Sequence, residues 1–319
     1  MHRIGFLLSD GFQLMTLASQ CVFECANIVV GDPHYKVDNF SIEGGEVRSS
    51  LGVIVGTRSV RGCREVQTWM VTGGTNPLAL PATTRELAFL RKEAERARRI
   101  AGICTGGFAL ANAGLLTHRR ATTHWAFARE MRKRFPDVLV EEDRIYVVDD
   151  FIWTSAGMTA GLDMALAMIE RDLGADVARS VARKLVMHQR RSGGQSQHSQ
   201  MLDLAPKSDR IQNVLNYARS NLGRPLTIEE LAERAHLSPR QFSRVFTQET
   251  GRSPAKAIEG LRLEAARLMI EQSLHPLNVI AKETGFNDRR HMREAFLRGF
   301  GVPPQAVRRN SSGPEPVSA

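Results

Sequence analysis

The sequence predicts an α/β domain followed by an all-α domain, and three observations carry that expectation. Apolar runs alternate with helical periods from Met1 to about Gln189; "RRSGGQSQHSQ", residues 190–200, is polar and without periodicity; and from Ser208 onward strand signals give way to sharply capped helices. Alternation of this kind argues for a sheet covered by helices on both faces. The expected boundaries are an α/β domain over 1–189, a linker over 190–207, a helical domain over 208–309 and a disordered tail over 310–319.

Composition narrows the field. A chain of 319 residues is long enough for two cores, and 43 Lys plus Arg against 34 Asp plus Glu give a net charge of +9, a bias toward polyanions. Cys21, Cys25, Cys63 and Cys104 have no metal-ligand spacing, so neither a metal nor another cofactor is expected. Cys21 and Cys25, four apart in a helical pattern, are expected to face a core. The opening apolar stretch ends at Asp10-Gly11, too short for a secretory signal, and no stretch suits a membrane span, so a reduced cytoplasm is the expected setting and no membrane partner is expected.

Taken in order, the strands are expected at Ile4–Leu8, Tyr35–Asn39, Thr68–Val71 and Ile100–Cys104, with a hairpin across Ile145–Thr154. Glycines follow two of them, at Gly73-Gly74 and Gly106-Gly107, where an open sheet gathers its binding crevice. A helix over 83–98 brings Arg91, Lys92, Arg96, Arg98 and Arg99, but interleaved Glu93 and Glu95 make it a solvated face. In "RIAGICTGGFALANAGLL", Cys104 sits at a strand-to-helix elbow where a helix N-terminus favours a thiolate. His124, after the next helix, is the candidate base. The crevice is expected to be lined by Asp10, Phe12, Gly74, Thr75, Cys104, Thr105, His124, Trp125 and Ser155, with Trp125 or Trp153 able to face a quaternary ammonium.

The helical half is punctuated twice. Thr227 and Glu230 make a capping box ahead of Leu231, Ala232 and Ala235; after a tight turn through His236-Leu237, Ser238 caps a second helix with Pro239 at its first position. Phe242, Val245 and Phe246 face inward, leaving Arg240, Ser243 and Arg244 outside. A second copy follows near Asn278, with Asp288 on Ser238, Met292 on Phe242, Phe296 on Phe246, Gly301 on Gly251 and Pro304 on Pro254, and with Arg289, Arg290 and Arg293 outside. Two helix-turn-helix units on one rigid spacer, "SPAKAIEGLRLEAARLMIEQS", can set two recognition helices against double-stranded DNA, where exposed arginines reach guanine edges.

The closing "TGFNDRRHMREAFLRGFGVPPQAVRR" resembles the DNA-binding domain of AraC/XylS-family transcriptional regulators. In the other half, "GICTGGFALANAGLLTHRRATTHW" and "DFIWTSAGMTAGLDMALAMIE" are similar to the PfpI-like branch of the class I glutamine amidotransferase-like superfamily, as found in the sensor halves of AraC-type regulators. The resemblance implies a flavodoxin-like, PfpI-type sheet sandwich that dimerises and binds a small effector, an amino acid or betaine-like metabolite, at a promoter-bound activator with RNA polymerase as a further partner. Superfamily enzymes carry an acid at the position of Thr16, and peptidase-like members a histidine at the position of Thr105. Cys104 and His124 are therefore vestigial candidates with no catalytic role expected. Two other readings stay open: a cysteine-dependent amidase or lyase, and a redox sensor acting through Cys104.

Overall fold

The computed structural model describes residues 1–311 apart from 62, 64, 188–190, 192, 194–196, 198–203 and 205. Contacts divide the chain into two compact units, Met1–Gln197 and His198–Ala319.

In the first unit, β1 (His2–Leu7), β2 (Tyr35–Ser41), β3 (Gly45–Arg48), β4 (Ile54–Ser59), β5 (Thr68–Val71), β6 (Arg99–Ile103), β9 (Tyr146–Asp149) and β10 (Ile152–Ser155) form an eight-stranded sheet in the order β3-β4-β2-β1-β5-β6-β10-β9; β7 (Arg120–Ala121) and β8 (Leu139–Val140) pair separately. The strands between β4 and β10 pair in parallel, and only the two edges, β3 and β9, run antiparallel. A parallel interior is buried on both faces, which explains the near-continuous apolar runs of β1, β5 and β6. Ile4, Phe6, Met70 and Ile103 point to one side, against α1 (Ala18–Val30), α5 (Met158–Leu173) and α6 (Ala175–Lys184). Leu7, Trp69, Val71 and Ile100 point to the other, against α2 (Thr84–Ala94) and α3 (Gly106–Asn112). A further helix, α4 (Trp125–Arg134), has His124 as its N-cap.

The hairpin β3–β4 was not expected. β4 alternates between exposed and half-buried residues, β3 is exposed except for the buried Val47, and the two contain Gly45 and Gly56, so they lack the apolar signature of the interior strands. Three other expectations need correction. Helix α2 stops at Ala94, and Arg99 opens β6 with its side chain 3% exposed, paired to Asp172 at 2.6 Å. Burial works against the Asp172 carboxylate, yet Arg99 and Arg98 hold it below the usual range. Cys21 is exposed, while only Cys25 packs partly against the core.

The second unit holds α7 (Asp209–Ser220), α8 (Ile228–Arg234), α9 (Pro239–Thr250), α10 (Pro254–Gln272), α11 (Leu277–Glu283), α12 (Arg289–Phe300) and α13 (Pro304–Ser311). It has two cores. Phe242 and Phe246 pack with α7 and α8 residues, and Met292 and Phe296 pack with Ile280, Ala281 and Val307. Most of the expected linker and the tail beyond 311 lie outside the described residues. Two of the described linker residues, Arg191 and Gln197, are fastened to the first unit. Arg191 binds the fully buried Asp163 carboxylate, Nη2 to Oδ2 at 2.7 Å, and the Gln197 side chain donates to the Thr123 carbonyl at 2.9 Å while accepting from the Trp125 N–H at 2.9 Å.

Candidate functional site

The elbow is built by close backbone approach. Cys104 takes φ +56°, the left-handed region that costs an L-residue about 1–2 kcal/mol. A Cβ on Gly73 would collide with the Thr105 hydroxyl, and one on Gly106 with the Val71 carbonyl, so both glycines serve the junction of β5 with α3. Consecutive side chains then diverge. The Thr105 hydroxyl donates to the Gly74 carbonyl at 2.7 Å, whereas Cys104 Sγ donates to Gln13 Oε1 at 3.8 Å.

That geometry decides the state of the thiol. Cys104 is 3% exposed, and burial pushes its pKa up to about 11, against the opposing pull of Thr105 hydrogen bonds. A protonated thiol facing a neutral amide oxygen is a poor nucleophile at neutral pH. Thr16 is buried and turns its hydroxyl back to the Gln13 carbonyl at 2.6 Å. His124 is the N-cap of α4: its Nδ1 accepts the Ala126 N–H at 3.3 Å, and its ring packs near Trp125 and Phe127. Ser155 gives its carbonyl to the Cys104 N–H at 3.1 Å, and its fully buried hydroxyl has no hydrogen-bond partner among the described residues.

One cavity takes up part of the expected lining set. A cavity of about 460 Å³ is lined by Asp10, Phe12, Gly74 and Thr105 from the expected set, together with Ser9, Glu43, Glu46, Leu80 and Glu86. Thr75, Cys104, His124, Trp125 and Ser155 do not line it, because the elbow sends Thr105 and Cys104 in different directions. Thr75 is exposed, Trp125 is 55% exposed, and the Trp153 ring is covered by Arg99 and Arg171, each 6.0 Å from its centroid. Sequence reasoning missed Gln13, Ser9 and Glu86. Only Glu86 left a signal, as the third residue of a capping box with Thr83.

The two helical copies match closely. Helices α9 and α12 each have 12 residues at an offset of fifty, capped by Ser238 and Asp288 side chains and closed by Gly251 and Gly301, both at φ +69°. The first helices, α8 and α11, match at an offset of 49 instead, with Leu231 on Ile280 and Ala232 on Ala281. The second turn thus holds one extra residue, Asn287, and its left-handed position is Gly285 where the first copy has His236. Arg240, Arg244, Arg289, Arg290 and Arg293 are exposed; Ser243 is half-buried and donates its hydroxyl to the Pro239 carbonyl at 2.9 Å.

A duplicated helix-turn-helix unit with arginine-bearing second helices, joined in one chain to a sheet unit with a ligand-sized cavity, defines a DNA-binding transcriptional regulator. Family models agree: a helix-turn-helix domain matches residues 231–310 and the DJ-1/PfpI family matches 2–171. The HTH-type transcriptional regulator GbdR of Pseudomonas aeruginosa is 30% identical over 319 residues, covering 99% of this chain and 86% of its own. The chain belongs to the HTH-type regulators that join a DJ-1/PfpI domain to an AraC-type DNA-binding domain. An AraC family transcriptional regulator from Pseudomonas putida shares the fold, with TM-score 0.52 and 21% identity over 58% of this chain and 100% of that one. Isonitrile hydratase of Pseudomonas putida is 32% identical over 184 residues, covering 57% of this chain and 77% of its own.

Proposed function

We propose that this regulator is a cytoplasmic, homodimeric activator whose DJ-1/PfpI unit senses a small metabolite without transforming it. The observation that carries this reading is the buried Cys104 thiol facing Gln13, its pKa pushed up by burial. The domain limits that go with it are a sensor over 1–189, a linker over 190–207 and a DNA-binding domain over 208–309. Arg240, Ser243, Arg244, Arg289, Arg290 and Arg293 contact promoter DNA, and activation runs through RNA polymerase. Only a ligand with unequal affinity for two arrangements of the protein can switch it.

A thermal-shift screen of the full chain against small metabolites, with mass spectrometry of each hit, tests the sensing. A ligand at one hundred times its Kd adds about 2.7 kcal/mol of stability. Recovery of the hit unchanged supports a sensor; consumption that stops in Cys104→Ala establishes an enzyme, the reading favoured by the likeness to isonitrile hydratase. The thiol itself is checked by alkylation: with its pKa raised to about 11, the rate should climb about tenfold per pH unit through pH 7–10. A plateau near pH 7 would restore a reactive cysteine.

A further inference from the structure

The cavity beside the elbow has one-sided electrostatics. Its charged lining residues are Asp10, Glu43, Glu46 and Glu86, with no lysine, arginine or histidine among them, in a chain of net charge +9. Two of these carboxylates are already engaged. Asp10 accepts the Arg48 backbone N–H at 3.0 Å, and Glu43 pairs with Arg61 at 2.8 Å and with Arg85 at 2.5 Å.

Glu86 is different. It is 5% exposed, and its carboxylate accepts from the Ser9 hydroxyl and from the Thr83 N–H at 2.6 Å, both neutral donors. Among the described residues no cation pairs with it. A buried carboxylate is costly without an opposing charge, and here the start of α2 supplies only a partial one. The lining also holds apolar side chains, among them Phe12, Val47, Leu80 and Pro81.

We propose that this cavity binds an organic amine cation that carries no carboxylate, with its ammonium against Glu86 and Ser9 and its apolar body against Phe12 and Leu80, and that this cation is the effector. The inference rests on the metabolite-sensing reading above and sharpens it. Amino acids and betaines bring a carboxylate, for which the cavity lining offers no cationic side chain and, at Glu86, a like charge with no cation paired to it among the described residues.

The test uses the full-length protein and three probes of one shape: cyclohexylammonium, cyclohexanol and cyclohexanecarboxylate. Calorimetry should give binding of the ammonium at least about tenfold tighter than of the alcohol, with none of the carboxylate. Glu86→Gln keeps a capping-box residue while deleting the charge, and should erase the preference. Equal binding of all three probes, or an ammonium preference that survives Glu86→Gln, overturns the proposal. The wild-type comparison needs no variant, so a poorly folding Glu86→Gln does not spare it.

Promoter affinity measured on the same samples separates this inference from the reading beneath it. A shift in DNA affinity with the ammonium, lost in Glu86→Gln, supports both. A shift produced by amino acids or betaines independently of Glu86 overturns the amine and leaves metabolite sensing standing. If no small metabolite alters DNA affinity, the sensing reading itself fails.

Discussion

In the first helix-turn-helix copy Arg240 and Arg244 stand exposed on α9, whereas in the second Arg290 is tied to Glu294 at 3.0 Å on α12, with Arg289, Arg293 and Arg298 around them. Glu294 occupies the place of Arg244. The second copy thus has more positive charge but a carboxylate in the middle of it. An exposed ion pair of this kind is worth about 0–1 kcal/mol, so Arg290 can exchange its partner for a phosphate at little cost. Arg244 has no such competitor on its own helix face and suits a guanine edge, while Glu294 suits a cytosine amino group. Duplication preserved the packing and the caps of the unit and let the two outer faces diverge in chemistry.

The comparison can be broken first at its packing. Phe246→Ala and Phe296→Ala should each cost about 3–5 kcal/mol. Because the two residues sit in separate clusters, hydrogen exchange should open mainly the copy that carries the change. Equal opening of both copies would mean that they fold as one.

The turns should respond unequally. Gly285→Ala sets a Cβ against the Leu222 carbonyl at φ +79° and should destabilise by more than about 2 kcal/mol, whereas His236→Gly relieves a left-handed residue and should be neutral or stabilising by up to about 1 kcal/mol in a denaturant melt.

On DNA, Arg244→Ala should weaken promoter binding by about 1–3 kcal/mol and relax preference at one base pair. Arg293→Ala should instead lower the salt dependence by about one unit with little change in preference. Fluorescence titration across a salt series distinguishes the two, and the reverse assignment would invert the comparison. The smallest effect belongs to the caps: Ser238→Ala and Asp288→Ala should each cost about 1 kcal/mol, equally in both copies.

Much of this was legible in the sequence. The interior strands and the capped second helices announce themselves because burial on both faces and helix punctuation each leave a local pattern. The edge hairpin β3–β4 left none, since its residues are mostly solvated, and the one-residue shift in the second turn was hidden by the gapless match of α9 with α12. The site was harder. Gln13 reaches Cys104 across 91 positions of sequence, and Glu86 meets Ser9 across 77, pairings that only the folded sheet creates. The backbone strain at Cys104, which turns adjacent side chains to different surroundings, has no signature in residue identity.

Helix α10 joins the two copies through 19 unbroken residues, about 28 Å of rise at 1.5 Å per residue. That is of the order of the roughly 34 Å pitch of a duplex, so a DNA site engaged by both second helices at once would be held to the length of this spacer. Such a promoter would be gauged as well as spelled. Five extra base pairs between the two contacted segments would turn one of them to the far side of the duplex, abolishing simultaneous engagement even with every contacted base intact, and ten would return it to the near side at a distance the rigid helix cannot bridge.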